Sequence, residues 1–564
     1  MPKRKEWSSG YGMWQKAKVG RVKAQTKAEP PPKLPNRGSG FAPTRKSAHL
    51  PRALLGEKGG ELVNKDDLKT DAASAADEAE TEPLRWNFID WEKVEGHVNR
   101  LQSKIAKACY EGKTEEIRRL QRQLTHSFDA KLLAVRRVTA NKGRNTPGVD
   151  GVTWNTPAKK MEAARHLTNK GYKARPLRRV NIPKKGKRGE TRPLGIPTMH
   201  DRAMQALFAL ALEPVAEATG DRHSFGFRTG RSPQDVCAHL FNVIGKERSP
   251  RWVLEGDIRG CFDHISHEWL LANVPMDKRV LGQFLKAGYM ETGSWHETEE
   301  GTPQGGIISP ILANMALDGI DAALDEKYHC RNGHPSHRMA NANKVNFARY
   351  ADDFVVTAAT EERAIEIKGL IASFLKERGL ELSEKKTLVT HVDKGFDFLG
   401  WNFRKYEGKL IIKPSKKSVQ NFLREMHRII LRECRTWKQG NLIKVLAPKI
   451  RGFANYHRHA CSSATFAKID HHIYKMLARW ATRRHPGKGK KWKYRRYWKR
   501  IGNRQYVFTD GKETLPFMMW QHIVRHPMIK LGVNPFTEPE YYIRRTQRLK
   551  ERYAHSFRHA AASD

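Results

Sequence analysis

The spacing of apolar residues divides this chain into regions of different structure. Two stripes at helical spacing predict a pair of helices: Val94, Val98, Leu101, Ile105 and Ala108, then Ile117, Leu120 and Leu124. Between about residues 172 and 405, short apolar runs alternate with helical patterns such as 201–218, which predicts an α/β unit. After Tyr406-Glu407-Gly408 the pattern turns helical, and further stripes predict helices within residues 419–430, 442–456 and 466–480.

One short turn in the α/β unit carries two adjacent carboxylates. Tyr350-Ala351-Asp352-Asp353 lies between the apolar runs 345–348 and 354–356, which predicts the tight turn of a β-hairpin. A third carboxylate, Asp257, ends the strand-like run 252–257. Adjacent aspartates repel each other unless a cation lies between them, and three acidic groups on two strands suit a pair of Mg²⁺ ions. Taken alone, the turn is also compatible with a solvated Asp-Asp pair.

Further blocks stand around these carboxylates in a fixed order. They are residues 142–151, 179–185, 191–197, 224–232, 257–262, 301–310, 379–387 and 398–401. This series resembles the blocks of reverse transcriptases, and from Trp86 onward the chain is most similar to the group II intron-encoded reverse transcriptases and maturases. The resemblance implies a right-hand polymerase: fingers and a palm with an antiparallel sheet, a helical thumb that is also the maturase X domain, and a basic DNA-binding region.

We therefore expect a mixed α/β and all-α chain of four regions. Residues 84–405 would form the N-terminal extension, fingers and palm, residues 406–483 the thumb, and residues 484–564 the DNA-binding region. Residues 1–83 are basic and Pro/Gly-rich, then acidic and Ala-rich. Because this first segment has too few large apolar residues to offset the entropy of ordering, we expect it to be disordered.

The resemblance assigns roles to the carboxylates and to their neighbour. Asp257, Asp352 and Asp353 are the catalytic residues and hold two Mg²⁺ ions, one at the attacking 3′-oxygen and one at the leaving oxygens. Asp257 and Asp352 bridge both ions, and Asp353 is a weaker or outer ligand. Ile258 contributes a backbone carbonyl to a metal ion, while its side chain belongs to the core.

Other residues are predicted to bind the deoxynucleoside triphosphate. Lys184 and Arg192 flank a basic turn whose cations neutralise the β- and γ-phosphates as the fingers close. Lys185, Lys187 and Arg188 lie in the same turn and can exchange roles with Lys184. By resemblance, Gln304 contacts the 3′-hydroxyl of the incoming sugar, and we place Tyr350 among the substrate-binding residues.

An aromatic ring follows Asp257 at the position where reverse transcriptases select the sugar. Phe262 lies five residues beyond Asp257, and a ring under the sugar leaves no room for a 2′-hydroxyl. Deoxynucleotides would then be selected by a steric clash. The alternative is that Phe262 is an ordinary core residue.

The charge composition of the chain indicates what kind of partner it binds. A net charge of +44 over 564 residues calls for a polyanion. Ribosomal and chromatin proteins share such a charge but lack the acidic blocks. The six cysteines form no Cys-x-x-Cys pair, which argues against a disulfide framework and for a reducing compartment.

The sequence also bears on the location of the protein. No apolar run approaches the ~18 to 20 residues of a membrane span, so we expect no membrane association. We expect a bacterial, cytoplasmic protein associated with nucleic acid. The basic N-terminus also allows an organellar transit peptide, which we favour less because its Pro-rich stretch interrupts an amphipathic helix.

A second basic region lies beyond the thumb. Residues 484–500 contain nine Lys or Arg and no acid, interleaved with four aromatic residues. Cations bind phosphates and aromatic rings stack on bases, so this composition suits single-stranded or distorted nucleic acid. The predicted nucleic-acid-binding residues are Lys142, Arg144, Lys490, Lys491, Trp492, Lys493, Arg495, Arg496 and Trp498.

The function implied by the resemblance is RNA-directed DNA synthesis on an intron RNA. The protein would bind the group II intron RNA that encodes it, assist splicing, and copy that RNA into DNA from a primer in the target DNA. No Cys pairs follow Trp480, so we expect no HNH endonuclease domain and priming by another source, such as a replication fork. Two alternatives remain open, a domesticated reverse transcriptase of a defence system and a non-catalytic RNA-binding splicing factor. Intact Asp257, Asp352, Asp353 and Gln304 count against the second.

Overall fold

A computed structural model describes residues 85–183, 189–502 and 504–558, the last four by backbone alone. The segment 1–83, for which we expect disorder, lies outside the described residues, as does Lys184. Within the described ranges, no helix is both long and apolar enough to cross a membrane.

The N-terminal part is helical and packs against the fingers. Its elements are α1 (Trp91–Tyr110), α2 (Thr114–His126), α3 (Phe128–Ala140), α4 (Pro157–His166), β1 (Leu177–Pro183), β2 (Thr191–Ile196) and α5 (Met199–Thr219). The two predicted helical stripes lie in α1 and α2, which confirms them, whereas α3 was not predicted. Residues of α1 to α5 share one hydrophobic core with the palm. The N-terminal helices are therefore part of the same folded body as the α/β unit.

The palm is built on an antiparallel sheet. Its strands are β3 (Trp252–Asp257), β8 (Asn346–Tyr350), β9 (Asp353–Ala358) and β10 (Leu388–His391), in the order β10-β3-β9-β8. All three pairings are antiparallel, as predicted. Strand β9 is buried from Phe354 to Ala358, because helices cover the sheet.

Helices and short strands surround this sheet in chain order. They are α6 (Pro233–Ile244), α7 (Cys261–His264), α8 (His267–Asn273), α9 (Lys278–Leu285), β4 (Tyr289–Glu291), β5 (Ser294–His296), α10 (Ser309–Leu317), α11 (Ile320–His329), β6 (Cys330–Arg331), β7 (His334–Pro335), α12 (His337–Asn343) and α13 (Glu361–Lys376). Strand β4 pairs parallel with β1, which gives a fingers sheet of order β2-β1-β4-β5.

A third sheet separates the palm from the thumb. It consists of β11 (Phe396–Phe398), β12 (Trp401–Tyr406) and β13 (Lys409–Pro414). Tyr406-Glu407-Gly408 had been interpreted as the start of the helical region, and this was wrong. Glu407 and Gly408 have φ of 49° and 78° and form the turn of the β12-β13 hairpin, a backbone conformation suited to tight hairpins.

The predicted thumb helices follow. They are α14 (Lys416–Arg428), extended by a π-helical segment (Ile429–Glu433), then α15 (Gln439–His457) and α16 (Ser463–Arg484). Beyond them lie α17 (Lys490–Tyr497), β14 (Trp498–Ile501), β15 (Arg504–Phe508) and α18 (Pro539–Arg558). The hydrophobic core of the thumb runs from Phe422 to Met518. Residues 484–518 therefore share this core with the thumb helices.

The last described residues return to the palm. Asp235 on α6 is fully buried, and its carboxylate accepts hydrogen bonds from Arg545 on α18, from His526 at 3.0 Å and from the Ile529 amide at 3.2 Å. Arg545 also donates to the Gly230 carbonyl at 3.0 Å. We call this set of contacts the C-terminal clasp.

Candidate active site

The palm strands bring the three predicted carboxylates to one edge of the sheet. Asp257 ends β3 and is paired in register with Asp353, the first residue of β9. Asp353 is also paired with Tyr350 at the end of β8, so Ala351 and Asp352 form the turn, as predicted. Ala351 has φ of 59°, which makes the turn tight enough to present both aspartates.

A buried network under the turn holds its position. The guanidinium of Arg349 is fully buried, forms an ion pair with Asp318, and donates to the Asn314 side chain at 3.1 Å. Asn314 in turn donates to the Gly226 carbonyl at 2.9 Å. A Cβ at Gly226 would lie 2.3 Å from the Ala351 amide nitrogen, so only glycine allows this loop to approach the turn.

Burial disfavours the ionised forms of two of the carboxylates. Burial, and then the charges of Asp352 and Asp257, raise the pKa of Asp353 to about 7. Burial also raises the pKa of Asp352, and Lys386 and Arg192 are cations that act against this rise. Positive charge at the site therefore favours ionisation of Asp352 and Asp353.

One cation is already present. The Lys386 ammonium donates to both carboxylate oxygens of Asp257, at 2.9 and 2.7 Å. The Ser383 amide donates to the Asp257 carbonyl at 2.8 Å, which fixes this segment beside β3. The Lys386 side chain is 61% exposed, so the ion pair is weak, on the order of 0 to 1 kcal/mol, and a stronger cation can displace it.

The carboxylates suit hard divalent cations by their chemistry. Oxygen ligands of this kind are the ones that Mg²⁺ prefers. The Lys386 ammonium binds both carboxylate oxygens of Asp257, where a metal ion would bind. As the side chains stand, no group of three or more His, Cys, Asp or Glu residues in the described ranges is arranged to hold a metal ion. Ile258 is buried in the core, as predicted. Its bridge to Leu382 uses the Asp257 carbonyl and the Arg259 amide, not the Ile258 carbonyl.

Two predicted substrate-binding residues meet in a cavity next to the palm. Phe262 and Gln304 both line this cavity of about 170 Å³, together with Pro193 and Gly195 of β2. Phe262 is half-buried, and its ring makes an edge contact with Phe227, with ring centroids 6.3 Å apart. The Gln304 amide donates to Asp263 at 3.1 Å. This hydrogen bond holds the Gln304 side chain near Phe262.

Other predicted substrate-binding residues lie outside this cavity. Arg192 is an exposed residue of β2, close enough to the palm to act on Asp352. Tyr350 is half-buried and packs against a second palm core.

The predicted nucleic-acid-binding residues divide into exposed and buried groups. Lys142 and Arg144 are exposed on the loop after α3, where Arg202 donates to the Gly143 and Thr146 carbonyls. The exposed residues of α17 are Lys490, Lys491, Trp492, Arg495 and Arg496. None of these joins the carboxylate site.

Trp498 and Lys493 differ from the prediction. Trp498 is only 5% exposed and packs on Phe508 and Tyr494 in the thumb core, with ring centroids 5.2 and 5.1 Å away. It is therefore a core residue and not an exposed platform for stacking bases. Lys493 is only 8% exposed.

Sequence reasoning missed the residues that support the site. Lys386 lies in the block 379–387, but its partner Asp257 is 129 residues away. Arg349 and Asn314 lie in apolar stretches, and no local pattern indicates that they hold the acidic turn. The only sequence signal was a charged or amide side chain in an otherwise apolar element, which is unfavourable unless it is paired.

Paired carboxylates on an antiparallel palm sheet, with a cavity beside the fingers strands, are the arrangement of a polymerase that transfers nucleotidyl groups. Models of three families match the chain: the N-terminal domain of reverse transcriptase at residues 86–167, reverse transcriptase (RNA-dependent DNA polymerase) at 182–403, and the group II intron maturase-specific domain at 419–498. The chain belongs to the group II intron-encoded reverse transcriptases and maturases, and it is an RNA-directed DNA polymerase with the right-hand fold that this domain implies.

Curated relatives agree with this assignment. Group II intron-encoded protein LtrA of Lactococcus lactis subsp. cremoris is 28% identical, over 66% of this chain and 75% of that protein. Protein YkfC of Escherichia coli K12 is 33% identical, over 54% of this chain and 87% of that protein. Maturase-like protein 1 of Euglena gracilis is 27% identical, over 66% of this chain and 77% of that protein. The resemblance found in the sequence is confirmed.

Proposed function

We propose that Asp257, Asp352 and Asp353 hold two Mg²⁺ ions and that this site copies the intron RNA from a primer 3′-hydroxyl in the target DNA. The observation that supports it most directly is the register of β3 and β9, which sets Asp257 opposite Asp353 beside the Asp352 turn. The raised pKa of Asp353 fits a site that is complete only when cations neutralise it.

The ions would supply positive charge at the attacking 3′-oxygen and at the leaving pyrophosphate oxygens. The protein's own residues position the reactants. Arg349, through its ion pair with Asp318, and Gly226, through its close approach to Ala351, hold the acidic turn in position. Arg192, with Lys184 across the basic turn, neutralises the triphosphate as the fingers close.

Sugar selection belongs to the cavity between the fingers and the palm. Phe262 forms its wall, and its ring excludes a 2′-hydroxyl by contact. Gln304, whose amide donates a hydrogen bond to Asp263, contacts the 3′-hydroxyl of the incoming sugar. The ring also packs against Phe227, which limits its movement away from the sugar.

Nucleic acid would be held outside the palm by exposed cations. Lys142 and Arg144 lie on the N-terminal extension loop, and Lys491, Arg495 and Arg496 lie on the outward face of α17. We assign the first pair to RNA and the α17 face to the target DNA, since salt-sensitive phosphate contacts suit exposed Lys and Arg.

The substitution Asp352→Asn tests the proposal. It keeps the shape of the turn and removes one charge, so primer extension on poly(rA)/oligo(dT) with Mg²⁺ should fall by about a hundredfold or more. Binding of intron RNA should be retained, because the RNA contacts lie elsewhere.

Asp393→Asn is the matched control. This substitution makes the same change of charge at a side chain that is 64% exposed. Primer extension by this variant should stay close to that of the wild type. Extension by Asp352→Asn at rates near those of the control would exclude the two-metal assignment.

A further inference from the structure

A cavity lies between the C-terminal half of α16 and α17, away from the palm. Its volume is about 350 Å³, a size typical of small-ligand sites. Four cations line it: Arg479, Arg483, Lys490 and Lys493. Tyr494 and Trp498 also line it, and no carboxylate is among the lining residues.

Lys493 is the unusual member of this set. The residue is only 8% exposed, so its aliphatic stem is covered by the protein. Its ammonium has no hydrogen bond or ion pair with another described residue and stays accessible from the cavity. A cation that is held by its packed stem and has no carboxylate partner is available to an anion that enters the cavity.

Helical geometry separates the cavity face of α17 from its outer face. Lys490, Lys493 and Tyr494 recur at spacings of three and four residues and face α16. Lys491 and Arg495 lie on the opposite side and are exposed. The basic stretch therefore has two surfaces: a cavity face, on which most of Lys493 is covered, and an outer face of solvated cations.

The aromatic wall adds a second element of recognition. Tyr474 donates to the Tyr494 hydroxyl at 2.8 Å, and the two rings lie nearly parallel, with centroids 6.2 Å apart. This contact fixes the Tyr494 ring in the cavity wall. Cations that bind phosphate beside a fixed aromatic ring match a nucleotide whose base is unstacked from its neighbours.

We propose that this cavity binds one nucleotide of a single-stranded nucleic acid, with its phosphate at Lys493 and Arg479 and its base against Tyr494. The proposal rests on nucleic acid being the partner of this region and is independent of the metal chemistry in the palm. The same nucleotide chemistry is present in the intron RNA and in a displaced strand of the target DNA. The test therefore uses both.

Lys493→Met in the full-length protein is the main variant, because methionine fills a similar volume without charge. Lys468→Met is its control, with the same loss of charge at an exposed residue of α16 that does not line the cavity. Binding of fluorescein-labelled oligouridylate and oligothymidylate would be measured by anisotropy. Loss of a charged contact inside the cavity predicts binding weaker by about tenfold for Lys493→Met, whereas loss of an exposed charge outside it predicts a change below about fivefold for Lys468→Met.

Stability supplies a second readout. Because the Lys493 ammonium has no hydrogen bond or ion pair with another described residue and stays accessible from the cavity, Lys493→Met should leave the Tm of the free protein close to that of the wild type. Added oligonucleotide should raise the Tm of the wild type more than that of the variant. A variant that binds less tightly at an unchanged Tm is not expected of a purely structural lysine.

Several results would overturn the proposal. Equal losses in Lys493→Met and Lys468→Met would show a diffuse electrostatic surface, and a lower Tm with unchanged binding would show a structural lysine. If Lys493→Met does not fold, Arg479→Gln, at an exposed side chain lining the same cavity, should still weaken binding, and unchanged binding would reject the site. Loss for oligouridylate alone identifies RNA as the ligand, and loss for both identifies the shared nucleotide chemistry. Asp352→Asn should bind both oligonucleotides normally, which separates this site from the palm.

Discussion

At Asp353 the protein holds a carboxyl group that is only half ionised near neutral pH. Burial raises its pKa to about 7, and the neighbouring Asp352 and Asp257 add to the rise. In the unfolded chain an aspartate has a pKa of about 3.9. The metal-free protein therefore loses stability as pH rises from about 4 to about 7, because the folded state binds the proton more tightly.

Asp353→Asn should remove that loss. In EDTA, the Tm of the variant should exceed that of the wild type clearly at about pH 8 and only slightly at about pH 5. Calorimetry at the two pH values gives the comparison. A gain of the same size at both would mean that packing, and not ionisation, is responsible. Mg²⁺ should stabilise the wild type more than the variant.

Substitution of Phe262 tests how the protein selects the sugar of the incoming nucleotide. Phe262→Val shortens the side chain that lines the cavity beside Gln304, so the ratio of kcat/KM for CTP to that for dCTP should rise. Phe262→Tyr keeps the ring and should leave the ratio near that of the wild type. If the valine variant remains active with an unchanged ratio, Phe262 is an ordinary core residue.

Among the elements, the C-terminal clasp joins α18 to α6 and to the loop beside the active site. Arg545 and Asp235 have side chains that are 9% and 0% exposed, and Arg545→Met would leave Asp235 with a weaker set of partners. Breaking a buried ion pair costs about 3 to 5 kcal/mol, so the Tm should fall. Primer extension should fall too, because Gly230 lies in the same loop as Gly226, which contacts the acidic turn.

Arg544→Met is the control for the clasp. Arg544 lies on the same helix, its side chain is 69% exposed, and its one ion pair with a described residue is with the exposed Glu540. Its Tm and extension rate should stay near those of the wild type. If Arg545→Met behaves like this control, α18 is only an attached tail.

The sequence predicted elements where periodicity and function coincide. The acidic hairpin, the strand ending at Asp257 and the thumb helices were all predicted, because each has an apolar run of the right period. It failed where a local signal had two meanings. Tyr406-Glu407-Gly408 can mark either a boundary between two regions or the turn of a hairpin. Trp498 was predicted to bind nucleic acid because its neighbours are basic, although its ring packs on Phe508.

For the whole molecule, the order of the blocks was sufficient to predict a polymerase, but not how distant parts stabilise one another. Lys386 reaches Asp257 across 129 residues, and Arg545 reaches Asp235 across 310. No pattern of spacing reports such pairs, since each partner is an ordinary charged residue in its own segment. The prediction of a basic DNA-binding region at residues 484–564 likewise does not include the core that this region shares with the thumb, or the C-terminal clasp.

The two partners of the C-terminal clasp, Asp235 and Arg545, are synthesised at different times. Asp235 leaves the ribosome 310 residues before Arg545, and at about 5 to 20 residues per second that interval is about 15 to 60 s. Until then the nascent palm lacks the guanidinium that pairs with its buried carboxylate. A reverse transcriptase runs toward the 5′ end of its template while the ribosome runs toward the 3′ end. For a protein encoded by the RNA that it copies, late completion of the palm favours an order in which the message is translated before it is copied.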